Sequence, residues 1–205
     1  EIELAKQIGC KYHFCHMSTK ESFDAIRQAH KEGYTNITCE VSPHHLLLNE
    51  NMIKDANWKM NPPLRSEENR KETIKALLDG TALMIASDHA PHAKEEKEQE
   101  YSKAPNGIIG IETMLPLIYT HFVDKGIATH SDFLNWFVYN PIKVFSLPER
   151  KLEVGYPGDL TVLDINTLRK YTKEEILSLS TNSPYIGMEM KGFPQLTLVN
   201  GKIVW

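Results

Sequence analysis

The stretch Leu83-Met84-Ile85-Ala86-Ser87-Asp88-His89-Ala90-Pro91-His92 decides how the chain reads. A short apolar run closed by a carboxylate and two imidazoles has the pattern of a buried strand that delivers polar groups at its end. An ionised carboxylate at a strand mouth is costly unless a cation or a proton-transfer role compensates it. An Asx turn or a helix N-cap would explain Asp88 equally well, and on the residues alone both readings stand.

The same grammar repeats upstream. Residues 12–17 read as a strand rich in aromatics and ending at Ser18, and residues 36–41 as a second strand with Ile37, Cys39 and Val41 inward, running into Ser42-Pro43-His44-His45. Ser18-Thr19-Lys20-Glu21 has the pattern of a capping box, and the helix it opens carries Phe23, Ile26 and Ala29 on one face and stops near Gly33. Ser66 with Glu67 and Glu68 opens another helix, with Ile74, Leu77 and Leu78 as its stripe and Gly80 as its stop. Ile2, Leu4, Ala5 and Ile8 before Gly9 read as the last turns of a helix, so further sequence is expected upstream of Glu1. Strand, polar loop and helix in alternation predict a parallel α/β organisation with polar residues gathered where strands end.

Downstream, the charged run 93–103 reads as a solvated loop, with a lid beside a site as the sharper alternative. Helical pattern returns over 111–124 and 131–139, where Asn140-Pro141 is expected to break it. After Val154-Gly155-Tyr156-Pro157-Gly158 the pattern changes to short strands at 160–163, 187–190, 196–199 and 203–205, with Asn200-Gly201 as a hairpin turn. The chain therefore divides into an α/β part, residues 1–150, and a small β unit, residues 151–205.

Composition narrows the function classes. The 205 residues are 41% hydrophobic and 24% charged, an ordinary globular balance. A net charge of −4 with both signs interspersed offers no footprint for nucleic acid or a membrane surface. Apolar runs fall far short of the ~18 residues that cross a bilayer, and the start of the chain has no signal-peptide pattern. Cys10, Cys15 and Cys39 without a CxxC make neither a disulfide scaffold nor a zinc knuckle; an odd count fits a reducing, cytoplasmic compartment. GxSxG, GxGxxG, HExxH and the P-loop pattern are absent, and Gly107-Ile108-Ile109-Gly110 is too short and apolar to cradle phosphate.

Strand periodicity places Tyr12, Phe14 and His16 on one face and His13 and Cys15 on the other. Only one of the two histidines can then face a shared interior, and His16 lies nearer the C-terminal end, where (β/α)8 barrels keep their active sites. A strand histidine is more often structural than a ligand. His44 and His45, as neighbours on a strand, point oppositely and suit a supporting or structural role. Asn61, between Met60 and two prolines, is a rigidly presented amide or a turn residue.

Four motifs in this order carry a resemblance: Cys15-His16-Met17-Ser18-Thr19-Lys20-Glu21-Ser22, Glu40-Val41-Ser42-Pro43-His44-His45-Leu46-Leu47-Leu48, Lys59-Met60-Asn61-Pro62-Pro63-Leu64-Arg65 and Ser87-Asp88-His89-Ala90-Pro91-His92. Ala104-Pro105-Asn106-Gly107-Ile108-Ile109-Gly110-Ile111-Glu112-Thr113 and Gly155-Tyr156-Pro157-Gly158-Asp159-Leu160-Thr161-Val162-Leu163-Asp164 extend it over the chain. Together they resemble the second half of the bacterial dihydroorotases of the amidohydrolase superfamily.

The resemblance implies the C-terminal part of a distorted (β/α)8, TIM-like barrel, strands six to eight, with a β-sandwich segment after it. It implies a hydrolase with two zinc ions that catalyses the reversible cyclisation of N-carbamoyl-L-aspartate to L-dihydroorotate in de novo pyrimidine (UMP) biosynthesis. Under it, His16 is a ligand of one zinc. Asp88 is a ligand of the other and the general base and acid. Asn61 and His92 hold the substrate, and Asn106 and Gly107 belong to the backbone segment against the pyrimidine ring, although Asn106 stands where the family tends to carry phenylalanine. The HxH pair, the bridging carboxylate and the remaining zinc histidine are not in the chain and would lie upstream, so the 205 residues alone are expected to be inactive. A small-molecule substrate, no nucleic-acid or membrane partner and a homodimer of the full-length protein complete the expectation. The alternatives are another cyclic amidohydrolase, a hydantoinase or allantoinase, and a non-catalytic scaffold for aspartate transcarbamoylase.

Overall fold

The structure is a computed structural model that describes residues 1–205. At its centre lie three parallel strands in the order β1 (Tyr12–Phe14), β2 (Ile37–Val41) and β3 (Met84–Ile85). Hydrogen bonds continue past the strand ends: Met17 N donates to Glu40 O at 2.9 Å and Ala86 N to Val41 O at 3.0 Å. Alternation along β2 separates two faces. Ile37, Cys39 and Val41 are fully buried against the helices, whereas Thr38 and Glu40 share the other face with His13. There the His13 ring lies 2.8 Å from Thr38 Oγ1 and 3.2 Å from Glu40 Oε2.

The helices form where the apolar spacing predicts them. α1 (Ile2–Ile8) ends on Gly9, whose φ of 70° takes the left-handed cap. α2 (Lys20–Lys31) buries Phe23, Ile26 and Ala29 completely; the two larger side chains contribute about 1.5–3 kcal/mol each. Its capping differs from the sequence pattern. Thr19 is the N-cap and makes no side-chain cap bond, while the Lys20 N–H donates to Asn69 Oδ1 at 2.8 Å, so a tertiary partner replaces the local box. α3 (Pro43–Leu47) is a helical turn directly after β2, and α4 (Glu67–Leu78) starts at Ser66, whose hydroxyl accepts from Asn69 N. The buried stripe of α4 is Thr73, Ala76 and Leu77, with Leu78 46% exposed. The predicted stripe is turned because α4 packs against both α2 and α3.

The charged run is not wholly a solvated loop. It forms a short helix, α5 (Lys94–Lys97), in which Lys97 is buried at 7% exposure. α6 (Ile111–Ile118) widens into a π turn, Tyr119–Val123. α7 (His130–Leu134) likewise widens through a π turn, Asn135–Tyr139, into α8 (Asn140–Val144). Asn140-Pro141 therefore does not end the helix. The Asn140 N–H reaches back to Asn135 O, and this wider turn accommodates the proline at the start of α8.

The C-terminal segment is antiparallel. β4 (Leu160–Asp164) pairs with β7 (Phe193–Val199), and β7 with β8 (Lys202–Ile203) through Asn200 and Gly201, at φ 50° and 74°. β5 (Arg169–Lys170), which has no alternating apolar signature, pairs with β6 (Glu189–Met190). A second core joins Tyr171, Tyr185, Met190 and Phe193 to Leu48, Met60, Ile108 and Leu117. No helix is long and apolar enough to cross a membrane.

Candidate active site

His16 and Asp88 stand just beyond the C-terminal ends of β1 and β3, and both hold left-handed backbone, φ 38° and 48°. Outside glycine this conformation is uncommon, costs roughly 1–3 kcal/mol, and concentrates at functional positions. It also corrects the periodicity argument. Tyr12 and Phe14 pack on the helix-side core and His13 takes the opposite face. His16 escapes that alternation because β1 stops at Phe14 and the chain turns. His16 Nδ1 is buried without a hydrogen-bond partner. Burial pushes the Asp88 carboxyl above the ordinary carboxylate range; His16 opposes this rise and Glu40 adds to it.

His44 and His45 lie on the helical turn of α3 rather than on a strand, so their side chains do not oppose one another. The rings meet edge to face with centroids 4.3 Å apart, and both side chains are buried. His44 Nε2 has no hydrogen-bond partner and lies 3.8 Å from Asp88 Oδ2. Burial holds its pKa well below the usual histidine value, reinforced by His45 and His16, so the ring is neutral. His45 Nε2 donates to Pro62 O at 2.9 Å, and burial brings its pKa down to about 4.

The depressed His45 pKa has a consequence for stability. As pH falls through 6.5 the unfolded chain binds a proton that the folded chain accepts only near 4, so stability is present above that window and declines across it. For this buried ring the loss amounts to about 3 kcal/mol. Denaturant unfolding of the full-length protein at pH 7 and 4.5 checks it. His45→Gln, which keeps a donor for Pro62 O, is expected to lose distinctly less stability than wild type; equal losses would contradict the assignment.

A second group of candidates surrounds the first. Asn61 is exposed, but its neighbours are fixed: Met60 and Leu64 are buried and the Pro62 carbonyl is held by His45. The Lys59 carbonyl accepts from Gly107 N at 2.9 Å, which joins the Asn61 segment to the Asn106-Gly107 segment. His92 Nε2 donates to Asn106 O at 2.8 Å, and its Nδ1 lies 3.5 Å from Glu96 Oε2. Gly107, at φ 134°, is required sterically. A Cβ there would lie 2.6 Å from Ala90 Cβ and 2.9 Å from His92 Nε2. His89 is structural: its Nδ1 accepts from Gly110 N at 3.1 Å at the start of α6.

His44, expected in a supporting role, closes on Asp88 from α3. A further contributor has no local signal in the sequence. Asn182 arrives from the C-terminal segment with 3% exposure, donates to Ala90 O and Gly107 O, both at 3.0 Å, and accepts from His92 N at 3.3 Å. No group of three or more His, Cys, Asp or Glu side chains is placed to hold a metal ion. His16 and Asp88 by themselves offer two donors, fewer than the three or four protein ligands that hold a zinc ion firmly.

The Amidohydrolase family profile matches residues 2–204. The chain is 49% identical over 207 residues to a dihydroorotase of Staphylococcus epidermidis, covering 100% of this chain and 48% of the relative. It is 49% identical over 208 residues to a dihydroorotase of Brevibacillus brevis, again covering 100% of this chain and 49% of the relative. Among solved structures it is similar to an L-hydantoinase (dihydropyrimidinase) from Arthrobacter aurescens, with a TM-score of 0.90 at 32% identity over 99% of this chain and 46% of that one. A D-hydantoinase from Bacillus sp. AR9 gives 0.87 at 27% identity over 99% and 47%. The chain spans about half the length of the curated relatives it matches.

Proposed function

We infer the function from one premise: the chain belongs to the amidohydrolase family, whose solved relatives place its α/β part in a TIM-barrel-type fold. Within that family we propose that it is the C-terminal half of a dihydroorotase, which interconverts N-carbamoyl-L-aspartate and L-dihydroorotate in pyrimidine biosynthesis. One observation carries this reading: His16 and Asp88 stand on left-handed backbone just past the ends of β1 and β3, His16 with a buried, unpartnered ring nitrogen and Asp88 with a half-buried carboxyl on which the His16 charge acts.

The finer assignments belong to the same proposal. Residues 1–150 are strands six to eight of a distorted barrel with its closing helices, and residues 151–205 form a β-sandwich segment. The full-length enzyme is a cytoplasmic homodimer with two zinc ions. His16 and Asp88 fit as ligands by donor chemistry, and the donor set is completed from the other half. Zinc, when bound, activates water as a nucleophile near neutral pH and polarises the amide carbonyl. Asp88 takes a proton from the attacking water and passes it to the leaving ring nitrogen, which requires a carboxylate within reach of both. Neutral His44 borders that carboxylate without competing for its charge. Asn61 and His92 hold the substrate, His92 through the substrate's carboxylate, and Asn106-Gly107 presents backbone to the ring.

The identity to dihydroorotases along the whole chain favours this substrate over hydantoin. The test is kcat/KM of the full-length protein for L-dihydroorotate and for hydantoin. The expected preference for dihydroorotate is roughly a hundred-fold or more, because a site built for a carboxylate penalises its absence. Preference for hydantoin would move the protein to the hydantoinase branch, and turnover of neither would favour the scaffold reading.

A further inference from the structure

Resting on the dihydroorotase reading and extending it, we propose that Lys97 is a positioning residue. Together with Asn182 it fixes the carbonyl of Gly107 and so sets the geometry of the 105–107 segment and of His92 toward substrate. The placement of Lys97 is unusual for a lysine in a run of charges. Its side chain turns inward and Nζ donates to Gly107 O at 2.9 Å, to Pro105 O at 3.0 Å and more distantly to Lys59 O at 3.5 Å. No carboxylate pairs with it, so its charge is met by main-chain carbonyls.

Both acceptor directions of the Gly107 carbonyl are used, since Asn182 Nδ2 donates to the same oxygen at 3.0 Å. The same Asn182 side chain holds Ala90 O and His92 N, and its backbone carbonyl accepts from Ile109 N at 3.0 Å. Asn182 therefore links the Asp88–His92 loop to the Asn106-Gly107 loop, and Lys97 holds the second of these loops from its other side through Pro105 O and Gly107 O. Lys94, one turn earlier, makes no such contact and pairs only with exposed Glu98 at 3.4 Å, whereas Lys59 Nζ holds the carbonyls just before this segment, Ala104 O at 2.6 Å and Ser102 O at 3.2 Å. Burial, with Lys59 nearby, brings the Lys97 pKa down to about 8, as expected for an ammonium retained at a cost. A lysine kept buried with no carboxylate paired to it, Asp55 acting only from a distance, is under a positional constraint, and misplacing a substrate-contacting group by about 1 Å can cost as much as a hundred-fold in rate.

The experiment compares the full-length wild type with Lys97→Met, which keeps the stem and removes the ammonium, and with Lys94→Met as the surface control. Hydrogen exchange of the peptide over 104–109, zinc content, and kcat and KM for dihydroorotate are measured. In Lys97→Met the 104–109 amides are expected to exchange faster and KM to rise roughly ten-fold or more. Zinc content is expected to hold, kcat to fall less than KM rises, and Lys94→Met to match wild type. Asn182→Asp, which loses the donor to Gly107 O, is expected to repeat the pattern and decides the matter if Lys97→Met does not fold. Unchanged exchange, or faster exchange with unchanged KM, would overturn the proposal. Should the wild type prefer hydantoin, the substrate reading falls, and KM for hydantoin then scores the positioning role.

Discussion

Asp88→Asn in the full-length protein is expected to lower kcat by roughly 10³–10⁴-fold while leaving substrate binding partly intact. The amide cannot take up the proton of the attacking water, and it is a poorer metal ligand than a carboxylate. The fold has little reason to suffer: Asp88 is half-buried, the ring nearest its carboxylate is the neutral His44 at 3.8 Å, and asparagine is among the residues that tolerate its left-handed φ of 48°. Zinc analysis beside the kinetics separates the two causes. A variant with full metal and a collapsed kcat has lost proton transfer; one that has lost metal has lost a ligand. A near-normal kcat would return Asp88 to the role of a turn residue.

His92→Ala is expected to weaken dihydroorotate binding by ten- to a hundred-fold, the equivalent of ~1.5–3 kcal/mol for a charge-assisted hydrogen bond in a closed site. Orotate, which keeps the carboxylate on a planar ring, should weaken alike. Hydantoin lacks the carboxylate, so residual activity on it should change little. The structure adds a qualification to the measurement. His92 Nε2 also holds the Asn106 carbonyl, so truncation loosens the neighbouring segment as well. His92→Gln, which can retain a donor to that carbonyl, separates the contributions. Equal losses on dihydroorotate and hydantoin in both variants would mean that His92 supports the loop rather than the carboxylate.

Much of the fold can be read from local pattern because burial follows spacing. Phe23, Ile26 and Ala29 recur at helical intervals, Ile37, Cys39 and Val41 at strand intervals, and all six are fully buried. Local pattern misleads where a distant partner supplies what a neighbour would otherwise supply. Asn69 caps α2 in place of its own box, and the packing of α4 between two helices turns its stripe. The π turn before α8 absorbs the proline at Pro141. The site follows the same division. Polar residues at strand ends announce His16 and Asp88, yet strand alternation places His16 on the wrong face because no periodicity foresees a backbone reversal. Lys97 is hidden by its charged neighbours, and Asn182 by some ninety residues of separation from the loop it holds.

The most direct test of the account is a crystal structure of the full-length protein with anomalous data collected at the zinc edge. Metal density is expected within bonding distance, about 2.0–2.2 Å, of a His16 ring nitrogen and of an Asp88 carboxylate oxygen. Metal held entirely by other residues, with both side chains free of it, would mean that His16 and Asp88 are not ligands and that Asp88 has no metal-linked role in proton transfer.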